Sequence, residues 1–347
     1  MEKERSIYLD VLKAVTIFLV LLGHCIQYGA GAEYMSGGVF LYNPVFIFIY
    51  SFHMPLFTII SGYLFACSCK TKSNKQLLTS KVKQVIIPLF CWSFISLIVE
   101  IVKSILKISA HKVTIIWIGQ TILSAFIHGP WFLWAIWWGS FIVIIGRRFL
   151  KDNILFYLAI CLILLVVPDD NNIAVYKFVF PYFVLAYLFN SKNFVNKFKK
   201  VYMHFAFIIA CVVAFVVLLP KYNFDTYIYT TGYSIINKNV IYQLHNNSFR
   251  FVIGLVGSFS IMYLVYAIVK IIPKAILTPF VYVGKNTLGI YLISNYFFDE
   301  ILKRMAIPGL NFWYILAEFV CVLGASLLIN AILKKFKITN KLFLGGR

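Results

Sequence analysis

The chain has 347 residues, of which 61% are hydrophobic and only 13% charged, with a net charge of +20. Soluble domains run near half apolar and about a quarter charged. This composition excludes a soluble enzyme, a nucleic-acid-binding module and a disordered chain. The basic excess belongs instead to the loops of a membrane protein. Length would allow two or three soluble domains, yet the apolar blocks follow one another so closely that residues 1–347 read as a single membrane-embedded domain.

The apolar blocks predict ten spans, at 8–28, 43–66, 84–107, 131–146, 154–168, 173–189, 202–219, 248–270, 279–299 and 311–333. The fold class expected is an all-α bundle of about ten transmembrane helices, with broken helices lining a central pore. The first block carries Asp10, Lys13 and His24 and is followed by no small-residue cleavage site, so it reads as a helix and not a signal peptide.

Within that block Lys13 and His24 lie eleven residues apart. At 100° per residue this is three turns plus about 20°, so both side chains leave one face, separated by about 16 Å of rise. Asp10 joins the stripe to within about 60°. Ionisable groups inside a bilayer cost on the order of 3 kcal/mol and call for a partner or a role. A cation at one end and a histidine deep on the same face suit a long, thin ligand with an anionic head. His24 then reads either as a base that takes a proton from a hydroxyl or as a packing histidine bonded to a neighbouring helix.

The second block contains Phe52-His53-Met54-Pro55-Leu56-Phe57 and Ser61-Gly62-Tyr63-Leu64. Pro55 removes a backbone donor and should kink or break the helix. Gly62 permits close helix approach. Broken helices at membrane depth line protein cavities, which makes His53, Ser61 and Tyr63 candidates for a pore. Lys81, Lys83 and Gln84 precede Pro88. They read as a phosphate-binding rim or as ordinary cytoplasmic charge.

The stretch 112–128 ends at His128-Gly129-Pro130 and reads as an interfacial or re-entrant helix. Trp131, Trp134, Trp137 and Trp138 are interface anchors. Residues 220–247 form the longest loop, rich in Tyr and Asn, and it covers a pocket or serves as a plain connector. Glu100 and Glu318 fall inside spans and are further candidate site residues, whereas Asp299, Glu300, Lys303 and Arg304 read as an interfacial ion-pair set. The seven cysteines show no zinc-site spacing and read as reduced thiols, and no metal is expected. With the N-terminus cytoplasmic, about 23 of the 32 basic residues fall on the inner side. That asymmetry asks for an even number of spans with both ends cytoplasmic.

Taken in order, these residues resemble acyltransferase family 3. The resemblance runs from Tyr8-Leu9-Asp10 through Gly23-His24 and the Phe52–Leu64 segment to Lys81 and Pro88. It continues through Pro130-Trp131-Phe132-Leu133 and Pro181-Tyr182-Phe183 with Tyr187, and ends at Gly284-Lys285-Asn286-Thr287-Leu288 with Ile290-Tyr291-Leu292. No single match is specific; six in order carry the comparison. The resemblance implies a ten-helix O-acyltransferase of a bacterial plasma membrane. Such an enzyme moves an acetyl group from cytoplasmic acetyl-CoA to a hydroxyl of a cell-surface or lipid-linked saccharide.

Under that reading His24 is the base, and Lys13, Lys81 and Lys83 hold the phosphates of acetyl-CoA, with Asp10 beside them. His53, Ser61, Tyr63, Glu100, Trp131, Asn286, Tyr291 and Glu318 are candidates for the pore or acceptor site. The partners implied are the lipid bilayer, acetyl-CoA and the saccharide, with no nucleic acid. Three positions depart from the family pattern. Lys13 stands where the family has arginine, Gln84 replaces the second arginine of an Arg-x-x-Arg pair, and Ser294 stands where many members have histidine. No Gly-x-Ser-x-Gly elbow is present, which favours direct transfer over an acyl-serine intermediate. Two other functions suit the same residues: a transporter or exporter of a glycan or small polar solute, and an assembly partner without chemistry.

Overall fold

The computed structural model describes residues 6–106, 114–127, 129–170, 172–191, 201–236, 239–305 and 311–346, without the side chains of 201–205. The basic residues Lys3, Arg5, Lys192, Lys197, Lys199, Lys200 and Arg347, and also His111, Lys112 and His128, lie outside the described residues. Among those described, all regular structure is helical. The main helices are α1 (Ile7–Tyr28), α2 (His53–Cys69), α3 (Ile87–Ile105), α4 (Ile115–Ile127), α5 (Trp131–Leu150), α6 (Ile154–Val166) and α7 (Ile173–Ser191). They continue as α8 (Val201–Leu218), α9 (Val240–Ile271), α10 (Lys274–Lys285), α11 (Thr287–Glu300), α12 (Phe312–Lys335) and α13 (Lys337–Leu344).

Every predicted span falls on a helix, and the helices differ in length. Among the described residues, seven helical segments are long and apolar enough to cross a bilayer: Ile7–Tyr28, Pro44–Cys69, Asn74–Ile105, Trp131–Leu150, Ile173–Ser191, Val240–Ile271 and Phe312–Lys335. An eighth is a bent pair, Lys274–Lys285 and Thr287–Arg304, meeting at 65°. Helix α6 has 13 residues and rises only about 20 Å, against a hydrocarbon thickness of about 30 Å. Helix α8 has 18 residues and rises about 27 Å, close to that thickness. The helix expected at 112–128 is present as α4, also 13 residues long.

Two breaks position the site. Pro44–Tyr50 and α2 form one span interrupted at Ser51 and Phe52. Pro55 is the cause: it donates no hydrogen bond and its ring excludes a continuous helix one turn back. Pro88 acts similarly, with a π-helical segment over Val82–Ile86 just before it. The core is built around α2 on α7, the most extensively packed helix pair. It requires Gly62, where a Cβ would overlap the Phe183 carbonyl. Helix α1 meets α10 just as closely, with Gly284 facing the backbone carbonyl of Asp10.

Candidate functional site

Helix α1 is unbroken and is capped by the Ser6 hydroxyl, which accepts from the Leu9 amide. Lys13 and His24 therefore share one face of one rigid helix, about 16 Å apart. At its first turns Lys13 pairs with the buried carboxylate of Asp10 at 2.7 Å. Lys81 ends the short helix Asn74–Lys81, with its ammonium 4.9 Å from the centre of the Phe65 ring, and Lys83 is exposed.

His24 stands in an aromatic frame. Its ring centre lies 5.1 Å from Phe298 and 5.6 Å from Tyr28. The Tyr50 hydroxyl donates to Gln27 Oε1 at 2.9 Å and lies 3.5 Å from His24 Nδ1. A hydroxyl whose proton is already used can only accept from the imidazole. The proton of His24 then sits on Nδ1, and Nε2 keeps the lone pair. His53 is oriented by the same logic. Its Nδ1 is 2.9 Å from the Ile49 carbonyl, which can only accept, so Nε2 is again the basic nitrogen. That carbonyl also accepts from the Phe52 amide at 3.3 Å, at the break before α2. Tyr50 sits between the two histidines, its ring 4.5 Å from that of His53.

Both histidines line a cavity of about 730 Å³ at the Tyr28 end of α1. Its walls are aromatic and amide-rich: Tyr28, Tyr50, Trp92, Trp131, Tyr291 and Tyr296, with Gln27, Asn172 and Asn295. Asp299 and Glu300 stand on its rim. Asp299 pairs with Lys303 at 2.5 Å, and Glu300 with Lys103 at 2.6 Å and Arg304 at 3.0 Å. Of the two readings of the 220–247 loop, pocket cover or plain connector, the structure favours the cover: Phe224, Thr226, Tyr227, Ile228, Tyr229 and Thr230 line the cavity.

The structure thus gathers His24, His53, Trp131 and Tyr291 on one cavity. It disperses the other pore candidates. The Ser61 hydroxyl donates to the Phe57 carbonyl at 2.9 Å within α2, and Tyr63 is exposed. Glu100 pairs with Lys103. Asn286 sits at the break between α10 and α11, where its amide oxygen accepts from Asn330 at 2.8 Å and from Lys334 at 2.6 Å. Glu318 is 7% exposed and packs beside Gly29 at the end of α1. Neither carboxyl oxygen has a hydrogen-bond partner among the described residues. A buried polar group left in this state costs about 1–3 kcal/mol. Glu318→Met, of similar volume, should raise the thermal midpoint in detergent by about 2–4 °C. A lower midpoint would mean that the carboxyl has a partner. A higher midpoint with lost activity would make it functional.

Sequence reasoning passed over three charged residues that the structure puts to use. Arg250 in α9 is 2% exposed, and Lys177 in α7 is 1% exposed. Lys177 pairs with Asp169 at 2.5 Å. Asp169 also accepts from the amides of Tyr233 and Ser234 at 2.7 and 2.8 Å. Burial alone would raise its pKa, but Lys177 and these two amides outweigh burial and hold the carboxyl below its ordinary value. The cost of an ionisable group within an apolar block was the available signal for Arg250 and Lys177.

Among the described residues no cluster of three His, Cys, Asp or Glu side chains could hold a metal ion. A family model described as an acyltransferase domain, that of acyltransferase family 3, matches residues 6–330. The chain belongs to this family. It is 27% identical over 188 residues to nodulation protein NolL of Mesorhizobium japonicum, a match covering 53% of this chain and 48% of the relative. It is 28% identical over 235 residues to nodulation protein NolL of Sinorhizobium fredii, covering 65% and 60%. The chain thus spans about half to three fifths of the length of these curated relatives. No solved structure matches it. In family terms, the helix-one and helix-two segments bring their histidines to one cavity, whereas Gly284-Lys285-Asn286 forms a helix break beneath α1.

Proposed function

We propose that the protein is a plasma-membrane O-acyltransferase. It moves an acetyl group from cytoplasmic acetyl-CoA to a hydroxyl of a cell-surface or lipid-linked saccharide. The observation that carries this reading is His24. Its oriented imidazole opens on an aromatic cavity, and a cation lies about 16 Å away on the same face of the same helix. That rise is roughly the reach of a pantetheine arm. Acetyl-CoA then lies along α1, with its phosphates at Lys13, Lys81 and Lys83 and its thioester at His24. Asp10 orients Lys13.

The acceptor sugar enters the cavity and stacks on its aromatic faces, as amphipathic rings favour. His24 Nε2 takes the proton of the acceptor hydroxyl. The oxygen attacks the thioester carbonyl, the carbon–sulfur bond breaks, and the departing thiolate takes the proton from the imidazolium. The products are the sugar ester and CoA with a free thiol. Basic loop residues support cytoplasmic placement of both ends, which puts the cavity on the outer side.

The test is thioester turnover by purified protein in nanodiscs, read as free thiol release from acetyl-CoA with and without glycan extract. Glycan-dependent release supports transfer. Saturable acetyl-CoA binding without release means the right acceptor is missing. Neither binding nor release in folded protein overturns the reading and favours transport.

Donor binding yields its own expected result. Lys13→Gln should weaken acetyl-CoA binding by about tenfold, or about 1.4 kcal/mol, through loss of one phosphate contact. Lys13→Arg restores the charge with a forked donor and should bind at least as tightly as the parent chain. Equal affinity in all three proteins, by isothermal titration, would remove Lys13 from the donor site.

A further inference from the structure

An arginine facing a saccharide cavity invites one obvious role, the binding of a phosphate or carboxylate on the acceptor. Arg250 cannot fill that role as the protein stands. A guanidinium has five N–H donors, and all five are engaged within the chain. Nε donates to the Thr226 carbonyl at 2.5 Å. Nη1 donates to the Gly232 carbonyl at 2.7 Å and to Asn247 Oδ1 at 2.9 Å. Nη2 donates to the Tyr227 carbonyl at 3.5 Å and to the Thr231 hydroxyl. Four of these five acceptors belong to one segment, residues 226–232.

That segment is the roof of the cavity, and it has little regular structure to hold it. It consists of a 3-10 turn, Phe224–Thr226, and a single helical turn, Ile228–Thr231. Chain of this kind frays unless its polar groups are tied down. Neighbours of Arg250 on α9 add ties: Gln243 donates to the Gly232 carbonyl at 2.8 Å, and Asn247 to the Tyr233 carbonyl at 2.7 Å. From the opposite wall Asp169 receives the Tyr233 and Ser234 amides. Gly232 makes the turn between the two anchors at φ +71°, and a Cβ there would meet the Asp169 carboxylate.

We propose that Arg250 is a positioning residue that holds residues 226–232 as the roof of the acceptor site and thereby sets acceptor affinity. The structure pairs two observations: a buried guanidinium with no donor left for a ligand, and Tyr227, Tyr229 and Thr230 held over the cavity by it. The inference rests on the acyltransferase reading for its kinetic consequence, though not for its structural one. It also bears on the substrate class. With Arg250 committed inward and the rim carboxylates Asp299 and Glu300 paired, the cavity offers polyhydroxylated, uncharged sugars aromatic faces and amides, with no unengaged guanidinium for an acidic group.

The experiment compares the full-length protein with Arg250→Lys, which keeps the charge but loses the fork. Hydrogen–deuterium exchange of residues 224–234 should rise at least about tenfold, while exchange in α1 stays unchanged. In the transfer assay the acceptor KM should rise about tenfold or more, with acetyl-CoA affinity within about twofold of the parent. If Arg250→Lys does not yield folded protein, Thr231→Val removes one acceptor from the roof and should shift exchange and acceptor KM in the same direction by a smaller factor. Unchanged roof exchange in a folded variant would overturn the proposal. So would a loss of acetyl-CoA affinity matching the loss of acceptor affinity. A loosened roof in a protein that transfers no acetyl group would leave Arg250 in place as the roof anchor and remove the acyltransferase reading.

Discussion

Replacing His24 with glutamine should lower acetyl transfer at least about a hundredfold and leave acetyl-CoA binding within about twofold, since a positioned base contributes typically 10²–10⁴. Glutamine matches the histidine in reach and still donates a hydrogen bond, so the contact with Tyr50 and the packing against Phe298 are largely kept. What it lacks is a basic nitrogen at the cavity. Single-turnover thiol release and equilibrium binding, measured on the same preparation, separate the two quantities. Turnover within about tenfold of the parent would remove His24 as the base. His53 would then be the leading candidate, since the Ile49 carbonyl fixes its tautomer more firmly than Tyr50 fixes that of His24. Lost binding together with lost turnover would instead make His24 part of the donor site.

Gly284→Ala should cost about a hundredfold in turnover although it lies far from the cavity. The added methyl would occupy the position of the Asp10 backbone carbonyl, which no rotamer change can vacate. Helix α1 must shift away from α10, and it carries Asp10, Lys13 and His24 as one body. Displacements near 1 Å at reacting groups cost about 10²-fold, and overpacking adds about 1–3 kcal/mol of lost stability. Gly324→Ala in α12 is the control, because nothing lies within 4 Å of the methyl it would add. A Gly284→Ala protein with parental turnover and melting temperature would show that the α1–α10 contact does not align α1.

Much of this protein is local in origin, and so was legible in the sequence. Apolar runs determine the membrane class and the helix positions, because burial in lipid selects composition residue by residue. The Lys13–His24 stripe follows from helical periodicity alone, and it survives because α1 has no breaker within it. Pro55 marks its helix break because a missing N–H acts within one turn.

Partnership across the bundle was not legible. The bond from Arg250 to Thr226 spans 24 residues, and the Asn286–Lys334 contact spans 48. Nothing in the local pattern around Arg250 distinguishes an anchor from an orphan charge. The dispersal of Ser61, Tyr63 and Asn286 away from the cavity had the same origin, since position along a helix does not say which neighbour a side chain meets. Helix length was not legible either, because an apolar run does not reveal where its helix ends, as the 13 residues of α6 illustrate. Composition and periodicity are properties of one segment. The cavity, its roof and the alignment of α1 are properties of segments brought together, and only tertiary packing decides those.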